Sequence, residues 1–175
     1  MNDVMIDLET MGNGPEAAII AIGAVEFDVE GREVGERFYT VIDLESAVGS
    51  GGIMDASTVL WWMKQSEEAR AAFARGGEHI ANALQQFAAW MEKRGEDVRV
   101  WGNGASFDNV ILATAYRRNG TMLPWKYWND RCYRTMKNCA PGVKMQRSGT
   151  KHNAVDDAES QALHLIEIVH SGRAR

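Results

Sequence analysis

The chain has 175 residues, 45% of them hydrophobic and 25% charged, and a formal net charge of −5. These proportions are those of a soluble globular protein able to bury a real core, most simply as one domain spanning residues 1–175. No apolar run approaches the roughly 20 residues needed to cross a bilayer. The start also lacks the basic-then-apolar pattern of a secretory signal, so a cytoplasmic protein with no membrane partner is expected.

From Arg117 to Lys151 there are nine Lys or Arg against one acidic residue, Asp130, a local balance of +8 that leaves −13 for the rest. Such a basic segment on an acidic chain suits phosphate contact beside metal-binding acids, although a solvated loop region reads the same way on charge alone. Cys132 and Cys139 have no partners at zinc-site spacing and read as reduced thiols.

The first predicted strand, "VMIDLETMG", alternates Val4, Ile6 and Leu8 on one face with Met5, Asp7 and Glu9 on the other. Asp7 and Glu9 are either the wet face of an ordinary strand or two oxygen ligands held side by side for a divalent cation. A "GNGP" turn follows, then a strand in "AAIIAIGAVEFD", an acidic turn near Gly31, and a third strand in "ERFYTVID". Tight links between the three imply an antiparallel meander. "ESAVGSGGIM" reads as a glycine-rich loop.

From Asp55 the pattern turns helical. "DASTVLWWMKQSEEARAAFARGG" is expected as one helix, capped by Asp55 or Ser57 and stopped by Gly76 and Gly77. "EHIANALQQFAAWMEKRG" is a second helix and "VRVWG" a short strand. "SFDNVILATAYRRNG" is a third helix with Ser106 as its expected cap. "WKYWNDRCYRTMKNC" is ambiguous, a strand running into a short helix. "NAVDDAESQALHLIEIVHSG" is a last helix. This order implies an α/β fold, a mixed five- or six-stranded sheet with helices on both faces.

Asp108 falls just inside a helix that follows a strand and a glycine turn, where open α/β sheets bind ligands. An acid complementing the helix dipole would sit at the same place. At the head of the last helix stand two aspartates. Successive helical residues turn by roughly 100°, so Asp157 lies beside the inward stripe of Ala154, Ala158, Gln161, Leu165 and Ile168. Asp156 falls with Ser160, Leu163 and Glu167. Asp157 is therefore expected to face the sheet and Asp156 the solvent. His152, in the loop before this helix, carries an imidazole whose unperturbed pKa lies near neutrality, which suits proton transfer. His79, His164 and His170 are weaker candidates.

The order D-x-E, N-G-x-x-F-D and H-x-x-x-x-D resembles the DEDDh branch of 3′–5′ exonucleases in the ribonuclease-H-like (DnaQ-like) superfamily. More closely, "WGNGASFDNVIL", "PWKYWNDRCYRT" and "KHNAVDDA" look like the small phage and prophage 3′–5′ exonucleases. Those are related to a mycobacterial exoribonuclease and, more distantly, to RNase T and oligoribonuclease. The resemblance runs from Met5 to about Leu165.

It implies that Asp7, Glu9, Asp108 and Asp157 are both catalytic acids and metal ligands for two Mg²⁺ or Mn²⁺ ions. Asp7 would bridge them and His152 would be the general base. The implied partner is single-stranded nucleic acid with a free 3′ end, shortened by one nucleoside 5′-monophosphate at a time. A homodimer is carried over from several relatives. Met11 resembles the position that wedges against the terminal base, with Thr10 offering backbone groups.

Trp62 shares a helical stripe with Val59, Ala69 and Phe73 and reads as core, whereas Trp61 lies on a flank as an expected stacking platform. Trp125 and Trp128 either contact the strand or pack the sheet edge. DNA and RNA stay open. An endonuclease or strand-transfer enzyme on the same fold would have less use for His152. A non-catalytic nucleotide-binding or nucleic-acid-binding module would have no need of all five positions.

Overall fold

The computed structural model describes residues 1–74 and 76–172, with only the backbone of residue 72. Arg75, inside the expected first helix, and residues 173–175, at the end of the expected domain, lie outside the described residues. Three antiparallel strands come first: β1 (Asp3–Thr10), β2 (Ile19–Asp28) and β3 (Glu33–Val41). Then follow α1 (Leu44–Gly49), α2 (Ala56–Trp62), α3 (Glu67–Ala74) and α4 (Ile80–Glu92). The second half runs β4 (Arg99–Gly102), α5 (Asp108–Arg118), β5 (Asp130–Cys132), α6 (Tyr133–Cys139) and α7 (Ala154–His170).

The sheet has five strands in the order β3-β2-β1-β4-β5. β1 pairs antiparallel with β2 and parallel with β4, and β4 pairs parallel with β5. β1 is central, which explains why it carries apolar residues on both faces. Val4, Ile6 and Leu8 join one core with Ile80, Leu84 and Phe87 of α4 and Ile111 and Leu112 of α5. Met5 joins the opposite core with Tyr133 of α6 and Ala158, Ala162 and Leu165 of α7. Asp7 and Glu9 extend that second face of β1, towards α7. β3 is the edge, and its mostly exposed Glu33, Glu36 and Arg37 keep it from pairing further.

Three local expectations are corrected. The glycine-rich stretch after β3 begins as helix α1, because the Asp43 carboxylate accepts the Ser46 N–H at 2.8 Å and nucleates a turn. The long helix from Asp55 is two helices, since Ser66 starts a new one by accepting the Ala69 N–H through its hydroxyl. Its stripe survives the break: Trp62 and Phe73 meet with ring centroids 4.8 Å apart. α5 is capped by Phe107, not Ser106, with no side-chain cap bond, because the first acid of the helix turns to the sheet. The ambiguous segment resolves as a single 3₁₀ turn, then β5 and α6. No helix among the described residues is long and apolar enough to cross a membrane.

Candidate active site

The carboxyl ends of β1 and β4 and the amino ends of α5 and α7 meet around a cleft of about 440 Å³. Asp7, Glu9, Asp108, His152 and Asp157 all line it, with Trp61, Asn103, Phe107, Arg134, Arg147 and Gln161. Residues from both ends of the chain therefore converge.

Each acid has its own anchor. β4 pairs with β1 only as far as Met5, and beyond that point the Leu8 N–H donates to Asp108 Oδ1 at 3.2 Å. The Asn103 N–H donates to Asp108 Oδ2 at 2.8 Å, so the start of α5 is tied to the sheet through its acid. Gly102 permits this, since a Cβ there would lie 2.3 Å from Asn109 Oδ1 and 3.1 Å from Asp108 Cβ. Asp7 Oδ1 accepts the Gln161 Nε2–H at 2.7 Å. Asp157 Oδ2 accepts the His152 N–H at 3.0 Å, and Asp157 Oδ1 is ion-paired with Arg147.

His152 has a φ of 63°, a left-handed conformation uncommon for a residue with a side chain. Its ring lies edge-on to Trp61, with centroids 4.9 Å apart, and Trp62 stands behind at 6.1 Å. Burial first, then the positive charge of Lys151, pushes His152 below its ordinary value.

The acids are pushed the other way. Burial raises Asp7 well above the usual carboxyl range, and the neighbouring Asp108 and Glu9 charges add to it. Burial, then Asp157 and Asp108, raise Glu9 to about 8. Burial raises Asp108 to about 6 against the pull of its backbone hydrogen bonds. Buried carboxylates that repel one another, all hard oxygen donors, suit a divalent cation such as Mg²⁺ or Mn²⁺. Two further features fit one. Glu9, His152 and Asp157 offer ligand atoms within 4.8 Å of one another. Gln161 Oε1 is buried beside Asp7 with no hydrogen-bond partner.

The expected substrate contacts fare unevenly. Trp61 is 42% exposed and lines the cleft, while Trp62 is core, its indole N–H donating to Thr10 O at 2.9 Å. Thr10 lines the cleft, yet its hydroxyl donates to Gly12 O at 2.7 Å, so its polar groups are engaged within the protein. Met11 is corrected. Its N–H donates to Ala18 O and its carbonyl accepts the Asp55 N–H, a turn that leaves the side chain in the main core rather than in the cleft.

Asp156 lies on the outer side of α7. It is held rather than free in solvent, bonded to Arg37 of β3 at 2.6 Å and accepting the Thr150 N–H at 2.8 Å. Trp125 packs inside, donating to Asp130 at 2.8 Å, whereas Trp128 is exposed. His164 is a buried structural residue bonded to Tyr133 and Val143.

Sequence reasoning assigned no role to Gln161, Arg134 or Arg147. Gln161 carried a signal, being one turn beyond Asp157 on the inward stripe. The arginines were visible only as part of the basic segment.

The pattern defining the 3′–5′ exoribonuclease Rv2179c-like domain matches residues 2–169. An exodeoxyribonuclease of Enterobacteria phage T4 is 32% identical over 161 residues, covering 77% of this chain and 70% of its own length. Among solved structures, the nuclease domain of 3′hExo, a DEDDh family member bound to rAMP, superposes with a TM-score of 0.63 at 14% identity. That match covers 98% of this chain and 93% of the other. E. coli exonuclease I in complex with a dT13 oligonucleotide superposes with a TM-score of 0.61 at 16% identity over 98% of this chain and 41% of its own.

The fold is the ribonuclease-H-like one of the solved DEDDh exonucleases. The chain belongs to the 3′–5′ exoribonuclease Rv2179c-like family.

Proposed function

We propose that this exonuclease removes nucleoside 5′-monophosphates from the 3′ end of single-stranded DNA or RNA. In this reading Asp7, Glu9, Asp108 and Asp157 hold two divalent cations, Mg²⁺ or Mn²⁺, and His152 is the general base. The observation that carries it is the convergence of four carboxyls from β1, α5 and α7 on one cleft, with Glu9 pushed up to about 8. Groups so disfavoured as anions gain most from a cation.

When bound, such a metal pair would acidify the attacking water and stabilise the leaving 3′ oxygen. The chain's own residues do the rest. Asp7 and Glu9 stand on rigid backbone, and Gln161 fixes the Asp7 rotamer. His152, lowered by burial, is neutral at physiological pH and ready to accept a proton at a ring nitrogen. Trp61, exposed at the cleft wall, offers a face for a terminal base.

A second reading has one observation in its favour: His152 stands close enough to Glu9 and Asp157 to be a metal ligand itself. The Mn²⁺ affinity of His152→Ala separates the two, since a base is dispensable for binding and a ligand is not. The main reading is tested by incubating matched 5′-labelled single-stranded DNA and RNA with and without Mn²⁺. A ladder shortened from the 3′ end only with metal is expected. Turnover in chelator, or internal cuts, would overturn it.

A further inference from the structure

Asp157 and Asp156 each carry an arginine, but the two pairs differ in kind. Arg37 reaches Asp156 from β3 and also Glu159 at 3.2 Å, on the outer side of α7, where it ties the sheet edge to the helix. Arg147 comes from the basic loop and meets Asp157 inside the cleft, on Oδ1, while Oδ2 accepts the His152 N–H. The backbone beside Arg147 is strapped to α7, the Ser148 N–H donating to Ser160 Oγ at 3.1 Å. The side chain is 47% exposed, and Asp157 is its one ion-pair partner among the described residues. Its backbone is therefore anchored beside α7, and its half-exposed head can exchange partners.

We infer that Arg147 couples metal binding to strand binding. It competes with a divalent cation for Asp157 Oδ1 and, once displaced, grips a phosphate of the nucleic acid strand in the same cleft. The inference rests on the proposed reading of the acids as metal ligands.

The physical ordering follows from the groups. Asp157 is buried but the Arg147 side chain is about half exposed, so water competes for the guanidinium, and a cation shared by several carboxylates outcompetes it. A planar guanidinium released beside a phosphodiester has a better partner there, because the fork matches two phosphate oxygens. By linkage, a strand that holds Arg147 away from Asp157 must tighten metal binding by the factor through which metal tightens the strand. Arg134, the other arginine of the cleft, lacks this role, since it donates to the Asn103 carbonyl rather than to a carboxylate.

The test is Mn²⁺ titration by electron paramagnetic resonance. It is run on the unsubstituted protein, Arg147→Gln and Asp7→Asn, each alone and with oligothymidylate protected by a 3′-terminal phosphorothioate. Arg147→Gln is expected to bind Mn²⁺ about fivefold tighter without the strand, and the tightening that the strand confers should shrink by a similar factor. The salt slope of oligothymidylate binding should also fall by about 0.7, the contribution of one phosphate contact.

Unchanged Mn²⁺ affinity and unchanged coupling in Arg147→Gln would overturn the inference while leaving the metal site standing. Absence of Mn²⁺ binding in the unsubstituted protein, or full binding in Asp7→Asn, would instead remove the site reading beneath it. Should Arg147→Gln fail to fold, the Arg147 Nε–H resonance of the unsubstituted protein decides. It is expected to move on adding Mg²⁺, and a stationary resonance would overturn the inference.

Discussion

Gly23 of β2 stands opposite Asp7 of β1 in the antiparallel register, and the backbone of Ala154 fills the space where its side chain would be. A Cβ at Gly23 would lie 2.1 Å from the Ala154 carbonyl carbon and 2.2 Å from the Val155 nitrogen. The amino end of α7 can therefore lie directly on the sheet beside Asp7, and that descent brings Asp157 to Glu9.

Gly23→Ala must push α7 off the sheet, because backbone atoms cannot turn aside as a side-chain tip can. Overpacking of this kind costs about 1–3 kcal/mol, so a lowered thermal midpoint is expected. Turnover measured well below that midpoint should fall further than stability does. A variant as stable and as active as the parent would show that α7 does not need this contact.

Stability in a chelating buffer should fall with rising pH. Glu9 has a folded value of about 8 against its ordinary 4.5. A group raised on folding contributes stability that is complete below the unfolded value and lost as pH rises through the folded one. Asp7, also raised, acts in the same direction. His152 is lowered from 6.5 and opposes them only below that value, so the range from neutrality to about 8 isolates the carboxyls. The thermal midpoint is expected to drop across that range in chelator and to level out in saturating Mg²⁺. A midpoint independent of pH in chelator would contradict the account.

The two aspartates of α7 should part company on substitution. Asp157→Asn removes a charge at the cleft centre and is expected to abolish cleavage. Asp156→Ala loses the Arg37 pair and the Thr150 N–H bond, which together hold the loop before His152. Because Arg37 is 44% exposed, the pair is worth at most about 1 kcal/mol, and a loss of activity of only a few-fold is expected. Equal losses in a side-by-side kinetic assay would mean that the division of labour is wrong.

His152 is held at a φ that costs a non-glycine residue about 1 kcal/mol, offset in part by its ring contacts with Trp61 and Trp62. His152→Gly removes both the strain and the contacts, so the unfolding free energy should change by less than about 1 kcal/mol. Turnover should fall by about two orders of magnitude or more, the contribution of a general base. Denaturant unfolding and single-turnover kinetics on one preparation check both halves. An unaffected rate would assign the proton transfer elsewhere.

The meander, the central acids and the last helix were legible because each is written in local periodicity. Val4, Ile6 and Leu8 alternate with Met5, Asp7 and Glu9, and the stripe through Ala154 and Leu165 fixes which way Asp157 points. The partners of Asp156 were not legible because a helical wheel reports the angle around the axis and not what approaches from outside. Arg37 lies 119 residues away on an edge strand. The burial of Met11 was not legible because it comes from a turn closed by Ala18 and Asp55, and long-range backbone bonds leave no trace in spacing. The breaks at Asp43 and Ser66 were legible in principle, since each is a capping side chain three residues ahead of its partner.

The central claim is that the carboxyls meeting at Asp7 act together on a phosphodiester at the end of a strand. It is tested most directly by presenting Asp7→Asn and the parent protein with the same 5′-labelled single strand in Mn²⁺. The parent should yield products shortened stepwise from the 3′ end, and the variant should leave the strand intact while remaining folded by circular dichroism. Parental cleavage by a folded Asp7→Asn protein would contradict the account.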